Sequence, residues 1–136
     1  MIARRHKLNA KPVRIAGRSF GSGGEATRGA ELAMLEHAGE ITDLRFQVVI
    51  RLADAVNYRA DYAYTEAATG RKITEDFKGY EGGSSGARWR VVQQLWRRHG
   101  PTVLRVTGHD RRTRRTIVTR EILPKGNETA VSGETA

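Results

Sequence analysis

Hydrophobic and polar positions change period several times along the chain. From Ser22 to Gly39, in SGGEATRGAELAMLEHAG, they recur at helical spacing. Glu25, Gly29, Leu32 and Glu36 fall on one stripe, Leu32 and Leu35 mark the core side, Ser22 is an N-cap candidate and Gly39 closes the helix as a C′ residue. The period then drops to two. LRFQVVIRL, Leu44–Leu52, reads as a strand, and NYRADYAYTE, Asn57–Glu66, as a second. In the second, Tyr58, Ala60, Tyr62 and Tyr64 share one face, while Arg59, Asp61, Ala63 and Thr65 share the other. AATGR is a turn and KITEDFKG, Lys72–Gly79, a third strand, so the last two strands form a hairpin. GYEGGSSG is too glycine-rich for regular structure. ARWRVVQQLWRRHG returns to the helical period with Trp89, Val92 and Trp96 on its buried stripe. PTVLRVTG and RTIVTREIL are two further strands, joined by HDRRTRR.

The predicted order is helix, three strands, helix, two strands. That is an α/β domain with a mixed central sheet flanked by helices, spanning residues 19–123. Residues 1–18 are basic and poorly periodic, and read as an arm or short hairpin. Residues 124–136 are polar and small, and read as a disordered tail.

Composition narrows the partners. A chain of 136 residues suits one domain with one core. Its 24 Lys and Arg outnumber 15 Asp and Glu, and the net charge of +9 favours a polyanion, either nucleic acid or an acidic membrane. No apolar run is long enough to span a bilayer, and no apolar stretch follows the basic start as a signal peptide requires, so a cytoplasmic protein without a membrane role is expected. There are no cysteines, which excludes disulfides, thiolate metal sites and a cysteine nucleophile. His6, His37, His99 and His109 are scattered without ligand spacing.

The hairpin carries the chemistry. Counting by two from Asp76 reaches Thr74 and Lys78, whereas Glu75 faces the other way with Ile73 and Phe77. Asp61 sits on the polar face of the partner strand, so a suitable turn brings Asp61 and Asp76 together. Two carboxylates held close repel unless a cation neutralises them. Mg²⁺, which takes oxygen ligands and keeps several waters, is the natural choice, with the Phe77 carbonyl as a third protein ligand. Such an ion would polarise a phosphodiester and activate water, and Lys78 would hold that water or counter charge building on phosphorus. The same residues also suit an exposed strand face on which Asp76 pairs with Lys78 or Arg59 for solubility alone.

The residues in order carry a resemblance. RADYAY followed by ITEDFKG resembles the PD-(D/E)xK nuclease superfamily, in which an Asp on one strand and a D/E-x-K on the next form a metal site. More narrowly, HKLNAKP, FGSGGEA, AGEITDL, Gln47, YRADYAY and EDFKG match, in series over about the first 80 residues, small phage-encoded proteins of that superfamily. The resemblance implies a restriction-endonuclease-like fold with the core of the archaeal-type Holliday junction resolvases. It makes Asp61 and Asp76 metal ligands, Lys78 the catalytic lysine and Glu25 the helix acid of the site, with Mg²⁺ as cofactor and Mn²⁺ as its substitute. Glu25 has a second reading, since Ser22-x-x-Glu25 is also a capping box. Gln47 either orients a water or phosphate or is a solvent-facing strand residue. Ala60 stands where superfamily members often carry proline, and GYEGGSSGARW is richer in glycine than the matching loop, where Lys or Arg is usual.

Basic clusters complete the picture. Arg111, Arg112, Arg114 and Arg115 crowd one turn, and their planar forks suit phosphate. Arg88 near the second helix, and Arg4, Arg5, Lys7 and Lys11 in the arm, are further candidates for DNA contact. The expectation is a Mg²⁺-dependent endodeoxyribonuclease for branched DNA, a phage or prophage Holliday junction resolvase acting in the bacterial cytoplasm. Two symmetric cuts need two active sites, hence a homodimer. The alternatives are a nicking or restriction-type endonuclease and a non-catalytic DNA-binding protein.

Overall fold

The structure, a computed structural model, describes residues 13–15, 18–20, 23–79 and 86–124. The expected α/β architecture is present: a five-stranded mixed sheet with two helices packed on it. A short ribbon comes first, β1 (Val13–Ile15) paired antiparallel with β2 (Arg18–Phe20). Then follow α1 (Gly23–His37), β3 (Ile41–Ala53), β4 (Val56–Glu66), β5 (Lys72–Phe77), α2 (Gly86–His99), β6 (Val103–His109) and β7 (Thr116–Ile122). The ribbon crosses residue 18, where the arm was expected to end. Arg4, Arg5, His6, Lys7, Lys11, Ser22, most of the glycine-rich loop and the tail beyond Pro124 lie outside the described residues.

The sheet order is β3-β4-β5-β6-β7. All neighbours are antiparallel except β5 and β6, which run parallel with α2 as their crossover. The C-terminal ends of β5 and β6 therefore open at one end of the sheet, the usual place for a site in an open α/β sheet.

Neighbouring residues of β6 show how the layers stack. Val103 joins the α1 cluster with Ala26, Leu32, Tyr62, Tyr64 and Ile73, whereas Leu104 and Val106 join Trp89, Val92 and Trp96 of α2. Side chains alternate along a strand, so the helices cover opposite faces. The expected stripe of Trp89, Val92 and Trp96 is buried, and the Trp96 indole N–H donates to the Thr102 carbonyl at 2.8 Å. Gly39 closes α1 at φ +82°, with Glu40 N–H donating to the Leu35 carbonyl at 2.9 Å. Gly70 at φ +74° turns the β4–β5 hairpin.

One expectation fails. The four alternating residues of β4 do not pack as one face. Tyr62 and Tyr64 belong to the α1 cluster, but Tyr58 packs against Trp89 and Trp96 of α2. The β3–β4 hairpin is long and irregular, with register shifts and positive φ at Asp43 and Gln47, so it twists from one layer to the other.

Candidate functional site

The site forms where strand pairing gives way. The β4–β5 ladder runs from Thr65 opposite Lys72 to Tyr62 opposite Glu75 and stops. One step further, Asp61 and Asp76 stand opposite each other and side chains replace the backbone bonds. The Asp61 N–H donates to Asp76 Oδ1 at 3.2 Å, and the Phe77 N–H donates to Asp61 Oδ2 at 2.8 Å. On the other side of β4, Phe46 pairs with Tyr62 and Val48 with Ala60, leaving Gln47 opposite Asp61 outside the ladder at φ +56°. A non-glycine residue at positive φ is uncommon. Here it lets the Gln47 side chain donate from Nε2 to Glu25 Oε2 at 3.3 Å.

Glu25 arrives from the first turn of α1 and is hydrogen-bonded to the Asp61 carboxyl. Three contacts hold that turn. The Tyr62 hydroxyl donates to the Glu25 carbonyl. Gly24 lies so close to Phe77 that an added Cβ would stand 2.6 Å from the ring. One turn on, the Arg28 guanidinium forks onto Glu75, 2.6 Å to Oε2 and 3.0 Å to Oε1. As the strand period required, Glu75 points away from Asp76. It is wholly buried and also accepts from Tyr64 and Thr107.

Lys78 follows the last residue of β5 and stays on the Asp76 side. Its Nζ lies 3.3 Å from Asp76 Oδ2 and 4.3 Å from the centre of the Trp89 ring. Its N–H donates to the Thr107 carbonyl at 2.8 Å, extending the parallel pairing past β5. Burial lifts the Asp76 carboxyl to about 6, against the pull of Lys78 and the Asp61 N–H. Burial first, then the Glu25 charge and their shared hydrogen bond, push Asp61 up to about 7.

The acids suit a hard divalent cation. The Asp61 carboxyl is hydrogen-bonded to that of Glu25, like charges whose repulsion a cation would relieve, and Asp76 Oδ2 is buried without a well-formed hydrogen bond. Among the described residues, no three acidic or imidazole groups already close on one point. Asp61 and Asp76 meet through backbone N–H groups of the facing strands, and the side-chain partner of Asp61 is Glu25.

No family model matches the chain, and no curated protein or solved structure does either. The superfamily resemblance thus stands on the residues alone.

Of the arginines, those in the β6–β7 turn are exposed and well set. Asp110 accepts from the Arg112 N–H at 3.0 Å and from the Thr113 hydroxyl at 3.1 Å, and Arg114 sits at φ +64°. This turn leaves the same end of the sheet as Lys78, because Phe77 pairs with Thr107 two residues before His109. The His109 ring meets the Phe77 ring edge to face at 5.5 Å. Arg88 is exposed on the first turn of α2. Sequence pattern alone misses the anchor of α1, Arg28 on Glu75. Arg28 shares the helix face of Glu25 and Leu32, and a charged residue amid that stripe was the available signal.

Proposed function

We propose that the protein is a divalent-metal-dependent endodeoxyribonuclease of restriction-endonuclease-like fold that cleaves branched DNA, with four-way junctions as its substrate. The observation that carries this reading is the interlock of Asp61 and Asp76 at the end of the β4–β5 ladder, with Lys78 on one carboxylate and Glu25 on the other. Asp61 and Asp76 would hold Mg²⁺ or Mn²⁺, with the Phe77 carbonyl and Glu25 nearby. When bound, the ion would polarise the phosphodiester and ease ionisation of water.

The chain's own groups do the rest. Lys78, beside Asp76 and partly exposed, offers its ammonium to the negative charge that develops on the phosphate oxygens. Glu25 and Asp61 lie close enough to take up the proton that an attacking water releases. Gln47 keeps Glu25 turned toward Asp61. The arginine turn lies at the same end of the sheet and grips the phosphates on either side of the cut, without reading sequence. A homodimer would present two such sites for the paired cuts that a junction needs.

Cleavage of four-way, flap and linear duplex DNA in Mg²⁺ tests the reading, with Asp76→Asn as control. Junction cutting should lead, and the variant should bind DNA but not cut. One observation favours a second reading: each Asp also accepts a backbone N–H, so the pair stitches splayed strands whether or not it binds metal. A wild type that binds DNA yet never cuts in Mg²⁺ or Mn²⁺ would make this a non-catalytic DNA-binding protein.

A further inference from the structure

We propose that the open cleft beside Lys78 receives an unpaired nucleobase of the strand whose phosphate lies at Asp61 and Asp76. The inference rests on the nuclease reading and extends it to the choice of substrate. The cleft has a volume of about 540 Å³ and lies between α2 and the turn-end of the β3–β4 hairpin. One wall is apolar, formed by Val56, Val92, Leu95 and the Tyr58 ring. That ring stacks against Trp89, with centroids 5.9 Å apart and planes tilted by 30°.

The rim has the opposite character. Arg59, Lys78 and Arg88 line it, and among the described residues no acidic side chain does. Arg59 and Arg88 have no carboxylate partner among the described residues. Apolar walls beneath a cationic rim suit a flat uncharged ring carried on an anionic backbone.

Lys78 joins the cleft to the acid pair, since one Nζ touches both Asp76 and the Trp89 ring. A phosphate seated at the acids therefore delivers its neighbouring base to the mouth of the cleft. Asn57, on the same wall, offers an amide for the base edge, and the buried Tyr58 hydroxyl has no hydrogen-bond partner among the described residues. A base within an intact duplex must give up stacking and pairing to enter, whereas a base at a branch point has largely done so already. The cleft thus gives a physical reason for preferring branched over continuous DNA. A lipid headgroup or an apolar side chain from a second copy would also meet cations and an apolar wall. Neither accounts for a lysine shared with the acids.

The test uses the full chain in Ca²⁺ without Mg²⁺, with 2-aminopurine at the branch point of a four-way junction or inside a matched duplex. Val91 is 51% exposed at the cleft, so Val91→Trp can fill it without disturbing the core, and Arg88→Glu reverses a rim charge. Wild type should change the junction probe's fluorescence and not the duplex probe's. Both variants should lose that change and about tenfold in junction over duplex preference, the scale of one stacked base. An identical probe response in wild type and Val91→Trp would overturn the inference. So would a variant that alters vesicle binding or oligomeric state while junction preference is untouched. Failure of the wild type to bind any DNA would instead overturn the nuclease reading beneath it.

Discussion

Replacing Asp76 by Asn should stabilise the metal-free protein at neutral pH while abolishing cleavage. Asp76 is 2% exposed, and burial lifts its carboxyl from 3.8 to about 6. A carboxyl raised in the folded state binds more protons there than in the unfolded chain, so stability falls as pH rises. Below the unfolded value of 3.8 there is no penalty; it grows between 3.8 and about 6, and it is constant above that. At about 1.4 kcal/mol per pH unit, the gap between 3.8 and about 6 is worth about 3 kcal/mol.

Asparagine has the same shape, keeps an oxygen for the Asp61 N–H and carries no charge to desolvate. Its lack of the Lys78 ion pair is already inside the net figure, and Lys78, 27% exposed, can turn to water. Asp61 is raised too, to about 7, by burial and by Glu25, and that contribution is common to both proteins. Urea unfolding in EDTA at a series of pH values measures the difference. The two proteins should agree within about 1 kcal/mol in acid, and the variant should lead by about 2–3 kcal/mol once Asp76 is ionised. Mg²⁺ added at alkaline pH should stabilise wild type and leave the variant where it was. A gap that does not change with pH would refute the reasoning, because Asp76 would then carry no net desolvation cost.

Arg28→Met strands the buried Glu75 carboxylate and should cost about 3–5 kcal/mol in urea unfolding, with much of it recovered by adding Glu75→Leu. A single variant within about 1 kcal/mol of wild type would mean that the pair does not anchor α1. Gly24→Ala drives a methyl into the Phe77 ring, which is backed by His109. It should lower stability by about 1–3 kcal/mol and raise the Mg²⁺ needed for half-maximal thermal protection, because α1 lifts Glu25 away. An unaltered melting curve and Mg²⁺ profile would contradict this. Changing Arg111, Arg112, Arg114 and Arg115 together to Ala should flatten the salt dependence of DNA affinity, read by fluorescence anisotropy, by about 0.9 in log–log slope for each phosphate no longer neutralised. An unchanged slope would take the turn out of the interface.

Much of this arrangement is legible in the chain. Period-two counting puts Asp76 with Lys78 and turns Glu75 away, and a short turn then forces Asp61 opposite Asp76; both follow from local geometry. The packing of Trp89, Val92 and Trp96 follows from the helical period in the same way. What counting does not supply is where regularity breaks. Tyr58 departs from its counted face because alternation assumes a flat strand, and β4 twists between layers. Gln47 stays ambiguous in the sequence because its side chain reaches Glu25 only through a positive φ that no local pattern announces. The Arg28–Glu75 bond joins residues 47 apart in sequence, and such a contact exists only once helix and strand have docked. The expected absence of a spanning helix extends to the fold: among the described residues, no helix is long and apolar enough to cross a bilayer.

The hairpin placement of the acids also orders the chain's assembly. Asp61 and Asp76 meet across 15 residues, whereas β6 reaches β5 only after the whole of α2, and Glu25 comes from α1, which is separated from β4 in the chain by the whole of β3. Hairpins close within about 1–10 μs, while parallel pairing through a crossover waits on a long loop. The carboxylates should therefore meet while still wet, and the cost of desolvating them should arise only when the two helices come down and expel the solvent. Dissolved magnesium should accordingly hasten that late collapse in stopped-flow refolding and leave closure of the β4–β5 hairpin unhurried.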